Sequence, residues 1–269
     1  MGGYMSMRIR VVLLVASLVA TLVVPTAAAA ESDVVISGGG WGHGIGMSQF
    51  GAKGMAEEGK TAAQILNYFY DGTALGAIGS GVPDPGALWV GLFQNSTEID
   101  FEAVGGPLDL CKANDGEGPC PTQTALPGES WAFKAVGSAN CQFFKNGVPV
   151  GNPGTCNGSV TWENQPGTRV KLLAGGREYA RGTIRFRAVP DAGAKFHTVL
   201  DIPLEEYLYG IDEVPSAWPT QALQAQAIAA RSYAVNGALS VGNVGSNLDA
   251  QVVCWCHLFS DTRDQNYVG

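Results

Sequence analysis

The spacing of apolar residues changes along this chain, and each change marks a different kind of element. In residues 61–70, Ala62, Ile65, Leu66 and Phe69 fall on one helical face, with Thr61 placed to cap. A second short helix is predicted from near Ser48. From about 87 to 200 the period drops towards two. Residues 88–93, 97–101, 131–136, 160–163, 169–173, 183–189 and 195–200 are β-rich runs separated by Gly, Pro, Asn and Asp, and Arg185-Phe186-Arg187 alternates as a half-exposed strand should. Residues 220 to about 239 return to helical spacing, rich in Ala, Leu and Gln, with Leu223, Ala227, Ala230 and Ala234 on one stripe and Pro219 at the first turn. The predicted fold is α+β, with a β-rich sandwich or barrel-like middle region and a helical core towards the C-terminus.

The first residues read as something other than fold. Arg8 and Arg10 precede an apolar run at 11–24, followed by Pro25 and the small residues Ala27 to Ala30. This is the pattern of a secretory signal peptide, residues 1–30, cut after Ala30. The run is short against the about 20 residues that cross a bilayer, and no later run is long and uncharged enough to do so. The remaining chain divides into three zones: a Gly-rich segment with short helices at 31–86, the β-rich region at 87–200, and the helical segment at 201–269.

Composition narrows the function classes. With 16 Lys+Arg against 24 Asp+Glu the formal net charge is −8, and no local basic patch offsets it, so binding nucleic acid by phosphate neutralisation is excluded. The 37 Gly and 14 Pro follow no three-residue period, which excludes collagen and points to many turns.

Export changes how the six cysteines are read. Cys111 with Cys120 and Cys141 with Cys156 bracket turn-rich stretches, and proximity favours two local disulfides, one of three ways to pair four cysteines. Cys254 and Cys256 differ. A bridge within Cys-x-Cys is expected to strain the S–S geometry, and the adjacent His257 makes a metal, or a partner outside this chain, a competing use for the thiols.

Chemistry concentrates near the predicted long helix. Asp212 and Glu213 open a lead to it that Pro215 and Pro219 stiffen. Arg231 lies twelve residues after Pro219, about 18 Å along a helix axis, so Glu213 reaches it only if the lead doubles back. Taken alone, a Glu before a helix is ordinarily solvated, and Arg231 ordinarily pairs with a surface acid or snorkels. Trp41 and His43 sit in the run Gly38-Gly39-Gly40-Trp41-Gly42-His43-Gly44, which suits either a hydrogen-bonded turn histidine or a sugar contact, because small neighbours let a glycan approach an aromatic face.

Several segments together resemble the sporulation stage II protein D family, which includes the amidase enhancer proteins. They are Ile202-Pro203-Leu204-Glu205-Glu206-Tyr207-Leu208-Tyr209-Gly210, Glu213-Val214-Pro215-Ser216, the stretch from Ala222 through Arg231 to Ala234, and Trp41-Gly42-His43-Gly44-Ile45-Gly46-Met47-Ser48-Gln49-Phe50-Gly51-Ala52. The resemblance implies a secreted protein of the bacterial cell envelope, acting on peptidoglycan glycan strands as a lytic transglycosylase or enhancing a cell-wall amidase without catalysis of its own. It implies Glu213 as the catalytic carboxyl, Arg231 as a second site residue, and Trp41, His43, Ser48 and Gln49 as substrate-binding candidates. A lytic transglycosylase needs one carboxyl, which protonates the glycosidic oxygen and then takes the proton of the sugar's C6 hydroxyl, whereas most glycoside hydrolases need two. Asp212 in an extended lead points away from Glu213, which favours the one-acid reading. Some members are thought to hold zinc near the position of Cys254, Cys256 and His257, yet no fourth ligand adjoins them and no cofactor is required by the chemistry. Two departures stand out. The Gly-His-Gly motif precedes Glu213 here, although it commonly follows it, and the chain ends at 261–269 inside what looks like a family segment, so a truncated core is expected.

Overall fold

A computed structural model describes residues 45–112, 122–162 and 167–269. The signal-peptide reading, Trp41, His43 and Cys120 lie outside the described residues.

Helix α1 (Gln49–Glu57) starts at Ser48, whose hydroxyl accepts the Gly51 N–H at 3.1 Å. Helix α2 (Ala62–Phe69) starts where Thr61 predicts. The Thr61 hydroxyl accepts the Gln64 N–H at 3.3 Å, and the Gln64 side chain accepts the Thr61 N–H at 2.9 Å, so each satisfies a donor that a helix start leaves open. Ala62, Ile65 and Leu66 are its buried face.

The period-two region folds into two sheets. Its strands are β1 (Ala87–Ser96), β2 (Glu98–Val104), β3 (Leu108–Cys111), β4 (Gln123–Ala125), β5 (Ser130–Val136), β6 (Asn140–Lys145), β7 (Val148–Gly154), β8 (Gly158–Thr161), β9 (Arg169–Leu172), β10 (Arg177–Tyr179), β11 (Thr183–Ala188) and β12 (Phe196–Pro203). A short strand near the end of the chain, β13 (Leu258–Phe259), joins them. One sheet runs β13-β1-β12-β11-β8-β3-β4 and the other β10-β9-β2-β5-β6-β7, with every labelled pairing antiparallel except β13 on β1. The sheets stay open and face each other, a sandwich and not a barrel. Phe101, Phe133 and Phe143 of one sheet meet Phe186 and Phe196 of the other, with Phe133 stacked on Phe186 at 4.4 Å between ring centres and edge-on to Phe196 at 5.0 Å. All five rings are buried. Alternation accounts for this: Ile99, Phe101 and Ala103 of β2 face in while Glu98, Asp100 and Glu102 face out. The expected Cys141–Cys156 disulfide is present, and Cys111 is also disulfide-bonded.

After β12 the chain turns through α3 (Leu204–Tyr207) into α4 (Thr220–Val241), followed by α5 (Leu248–Val253) and β13. The buried face of α4 is small: Ala222, Ala225, Ala230, Ala234, Val235 and Ala238. Of the predicted stripe, Ala230 and Ala234 are buried, while Leu223 and Ala227 are half-exposed. Small residues let α1 and α2 pack close, and Ala52, Ala62, Ile65 and Leu66 form a cluster with Ala225. A hydrogen bond from the Ala62 N–H to the Gln221 side chain, 2.7 Å, pins the start of α2 to α4. Among the described residues, no helix is long and apolar enough to cross a membrane.

Candidate functional site

Glu213 is placed by the end of the chain. Residues 210–212 and 266–268 pair as neighbouring strands would: Asp212 N–H donates to the Asn266 carbonyl at 2.9 Å, Val268 N–H donates to the Gly210 carbonyl at 2.8 Å, and Ile211 bridges Tyr267. Tyr207, Tyr267 and Tyr179 stack beneath this pairing, at 4.9 and 6.3 Å between successive rings. Only glycine fits at 210, since a Cβ there would lie 2.4 Å from the Tyr267 ring. Arg177 closes the far side by donating to the Tyr267 carbonyl at 2.6 Å.

That register delivers the Glu213 carboxylate to a cleft of about 150 Å³ beside α4. Its Oε1 accepts the Asn266 N–H at 2.6 Å, and its Oε2 faces the Gln49 side-chain amide at 3.4 Å. Gln49 comes from α1, so the two segments that stand in swapped order along the chain do meet in space. Gln226, Ala229, Ala230 and Tyr233 of α4 form one wall, and Ile45, Met47 and Tyr70 another. The Tyr70 hydroxyl accepts the Met47 N–H at 3.2 Å, fixing the entry to α1. The lead from Glu213 to Pro219 thus does double back along the helix.

A second carboxylate lines the same cleft. Asp264 accepts the Tyr233 hydroxyl at 2.5 Å through one oxygen and the Phe259 N–H at 2.7 Å through the other. Hydrogen bonding to that carboxylate pushes the Tyr233 phenol up to about 12. Tyr207 lies beneath, donating to the Gln265 side chain at 3.0 Å. Burial first, and then Tyr267, Asp264 and Glu213, hold its phenol well above the usual range, so it stays a proton donor. Among the described residues lining this cleft there is no cation. Asp264 escaped the sequence reading because no local pattern separates it from Asp261; Tyr233 and Gln226 sat inside the family-like helix without a signal of their own.

The other expected site residues are placed differently. Arg231 does not reach Glu213. It lies about 100° around the helix from Ala230 and makes a two-pronged pair with Glu205 of α3, at 2.9 and 2.6 Å. Ser48 is the α1 cap and does not line the cleft. The metal reading of Cys254, Cys256 and His257 is corrected. The two cysteines are bonded to each other, with Cα atoms 5.1 Å apart, which leaves no thiolate to ligate. The bridge expected to be strained closes because Trp255 between them adopts φ +53, a left-handed turn that brings its neighbours together. The His257 ring is spent as well: Nδ1 accepts the Trp89 N–H at 3.1 Å and Nε2 faces the Gly242 carbonyl at 3.0 Å. Among the described residues no other cluster of metal-ligating side chains occurs.

Comparison with known proteins addresses the same part of the chain. Residues 192–269 match the SpoIID family model, described as Stage II sporulation protein. In this segment the chain is similar to that family. Over 44 residues the chain is 57% identical to the Amidase enhancer of Bacillus subtilis, and over 42 residues 50% identical to Stage II sporulation protein D of the same organism. A Stage II sporulation protein D from Bacillus amyloliquefaciens is 49% identical over 39 residues. These stretches are 14% to 16% of this chain and only 6% to 12% of the relatives' own lengths. No solved structure matches the chain. The matched segment contributes Glu213, Tyr233 and Asp264 to the cleft, while Gln49 comes from outside it.

Proposed function

We propose that this chain is an exported protein of the bacterial cell envelope that cleaves peptidoglycan glycan strands as a lytic transglycosylase, with Glu213 as the single acid and base. The observation that carries the reading is the unequal treatment of the two Glu213 oxygens. Oε1 takes the short bond from the Asn266 N–H, which orients the group, and among the described residues Oε2 has only the long Gln49 contact, which leaves it as the oxygen that carries and delivers a proton. In the reaction Oε2 gives its proton to the glycosidic oxygen as the C1–O bond breaks. The C6 hydroxyl of the same sugar then closes on C1, and its proton returns to Glu213, so no water is consumed. Asp264 has both oxygens occupied by donors and acts by holding Tyr233 and the 259–264 turn. Arg231 acts at one remove, through Glu205 and the position of α3. A cleft with two carboxylates and no described cation disfavours the acidic stem peptides of the wall and suits strands stripped of them.

The 57% identity to a protein named Amidase enhancer favours one alternative: a non-catalytic module that binds the wall and stimulates a cell-wall amidase. Both readings are tested by incubating the purified chain, as wild type and as Glu213→Gln, with peptide-free glycan strands and examining the products by mass spectrometry. Shortened strands with anhydro ends from the wild type alone support the enzyme. Strands left intact by both proteins, with equal sedimentation and equal amidase stimulation, support the module.

A further inference from the structure

A second cavity, of about 720 Å³, lies on another side of α4, walled by Trp89, Trp255, Arg187, Leu239, Asn243 and His257 among others, and among the described residues no carboxylate lines it. Ala238, Leu239 and Gly242 of this pocket and Gln226, Ala230 and Tyr233 of the cleft project in nearly opposite directions, and about 18 Å of helix separates Gln226 from Ala238. The pocket is therefore a separate place and not an extension of the cleft.

Its aromatic walls are built to stay still. The Trp89 and Trp255 rings lie 6.2 Å apart at 29°, and the Arg187 guanidinium rests against both, 5.1 and 5.7 Å from their centres. Trp255 is gripped on each side by the Cys254–Cys256 bridge, its indole N–H donates to the Ala188 carbonyl at 3.0 Å, and its backbone sits at φ +53. For a bulky residue that backbone is an outlier, and such strain persists where the surroundings enforce it, as at ligand-binding positions. Trp89 is held from the other side by a backbone and ring pair with His257, the His257 N–H donating to the Trp89 carbonyl at 2.7 Å and the ring accepting the Trp89 N–H. Both indoles remain half-exposed.

We propose that this pocket is a second saccharide-binding site, taking one or two sugar rings against the Trp89–Trp255 walls, and this rests on the cell-wall reading given above. Two fixed indoles offer flat apolar surface to the C–H faces of pyranose rings at little entropic cost, while amide and backbone groups at the rim meet their hydroxyls. The volume falls within the range of pre-formed small-ligand sites. Lying away from the cleft, the site grips a strand other than the segment being cut, and raises the local concentration of polymer at the protein.

The test is a titration of the full chain, with its tryptophan indoles labelled with ¹⁵N, by chitotetraose, a peptide-free N-acetylglucosamine oligomer. The indole signals of Trp89 and Trp255, assigned through Trp→Phe variants, shift and saturate. In Leu239→Trp, which fills the pocket from an exposed rim position and whose folding is checked by its unfolding temperature, the apparent affinity read at those signals weakens at least tenfold. A shift at Trp218, five residues after Glu213, with Trp89 and Trp255 unmoved at millimolar saccharide overturns this proposal and leaves the cleft reading standing. No shift at any indole overturns this proposal alone, since no described tryptophan lines the cleft, and the products made by wild type and Glu213→Gln decide the cleft reading separately. Shifts at Trp89 and Trp255 that survive Leu239→Trp unchanged, with the variant folded, also overturn the proposal.

Discussion

In the sandwich, Phe101, Phe133, Phe143, Phe186 and Phe196 come together from strands far apart in sequence and seal a core of large rings. Around the cleft, the buried face of α4 is almost all alanine, and the pieces that meet there are joined by single hydrogen bonds: Gln49 and Asn266 to Glu213, Tyr233 and Phe259 to Asp264. The contrast separates what holds the protein up from what shapes the cleft. Ring-on-ring packing contributes several kcal/mol per side chain and relaxes poorly when one is removed. Small residues let backbones approach, and the polar contacts between them contribute about 1 kcal/mol each, so this region responds to substitution through geometry more than through stability.

That contrast is broken most sharply at Phe133, which touches rings of both sheets. Phe133→Ala is expected to lower unfolding free energy by about 3–5 kcal/mol in a denaturant titration. An effect under about 1 kcal/mol would mean that the sheets hold together without this contact. Next is Asp264→Asn, which keeps the shape and removes the charge. It is expected to cost about 1–3 kcal/mol and to bring the Tyr233 phenol down from about 12 towards its ordinary value, read as ultraviolet absorbance against pH. An unmoved phenol would show that Asp264 does not hold Tyr233 in solution.

Acid should weaken the fold by a smaller amount. Burial lowers the pKa of His197 and His257, so below about pH 6.5 the unfolded chain binds protons that the folded chain does not. Stability therefore falls as pH drops from about 6.5 towards 5, and His257→Asn should remove part of that slope in unfolding temperatures measured across the range. A flat profile in the wild type would contradict the neutral hydrogen-bonded rings. The smallest effect is expected at Arg231. Its partner Glu205 is exposed, so Arg231→Ala should cost no more than about 1 kcal/mol of stability, with cleavage reduced and not abolished.

Much of the sandwich was legible because alternation is a local signal. Each of the seven β-rich runs contains a strand, and Thr61, Pro219 and the alanine-rich run announced their helices. Several missed strands are short or broken, such as β7 with Pro149 and Pro153, or β13 with two residues, and the six-residue β6 was missed as well. The site was legible only where a family-like motif passed through it. Glu213 was nameable, but its partner Asn266 depends on the pairing of 210–212 with 266–268, which no side-chain pattern records. That Arg231 pairs with Glu205 was not legible, because one residue of helix rotation decides whether a side chain faces the cleft or α3. The Cys254–Cys256 bridge was discounted because it needs Trp255 in a backbone region that a bulky residue rarely enters.

The central claim is that Glu213 works as the only acid and base although Asp264 shares its cleft. The direct measurement is to digest peptide-free strands in water enriched in ¹⁸O and weigh the new ends. The account predicts anhydro ends without ¹⁸O, and no products from Glu213→Gln. Reducing ends carrying ¹⁸O would show that water attacks the sugar, and would make Glu213 and Asp264 a hydrolytic pair instead.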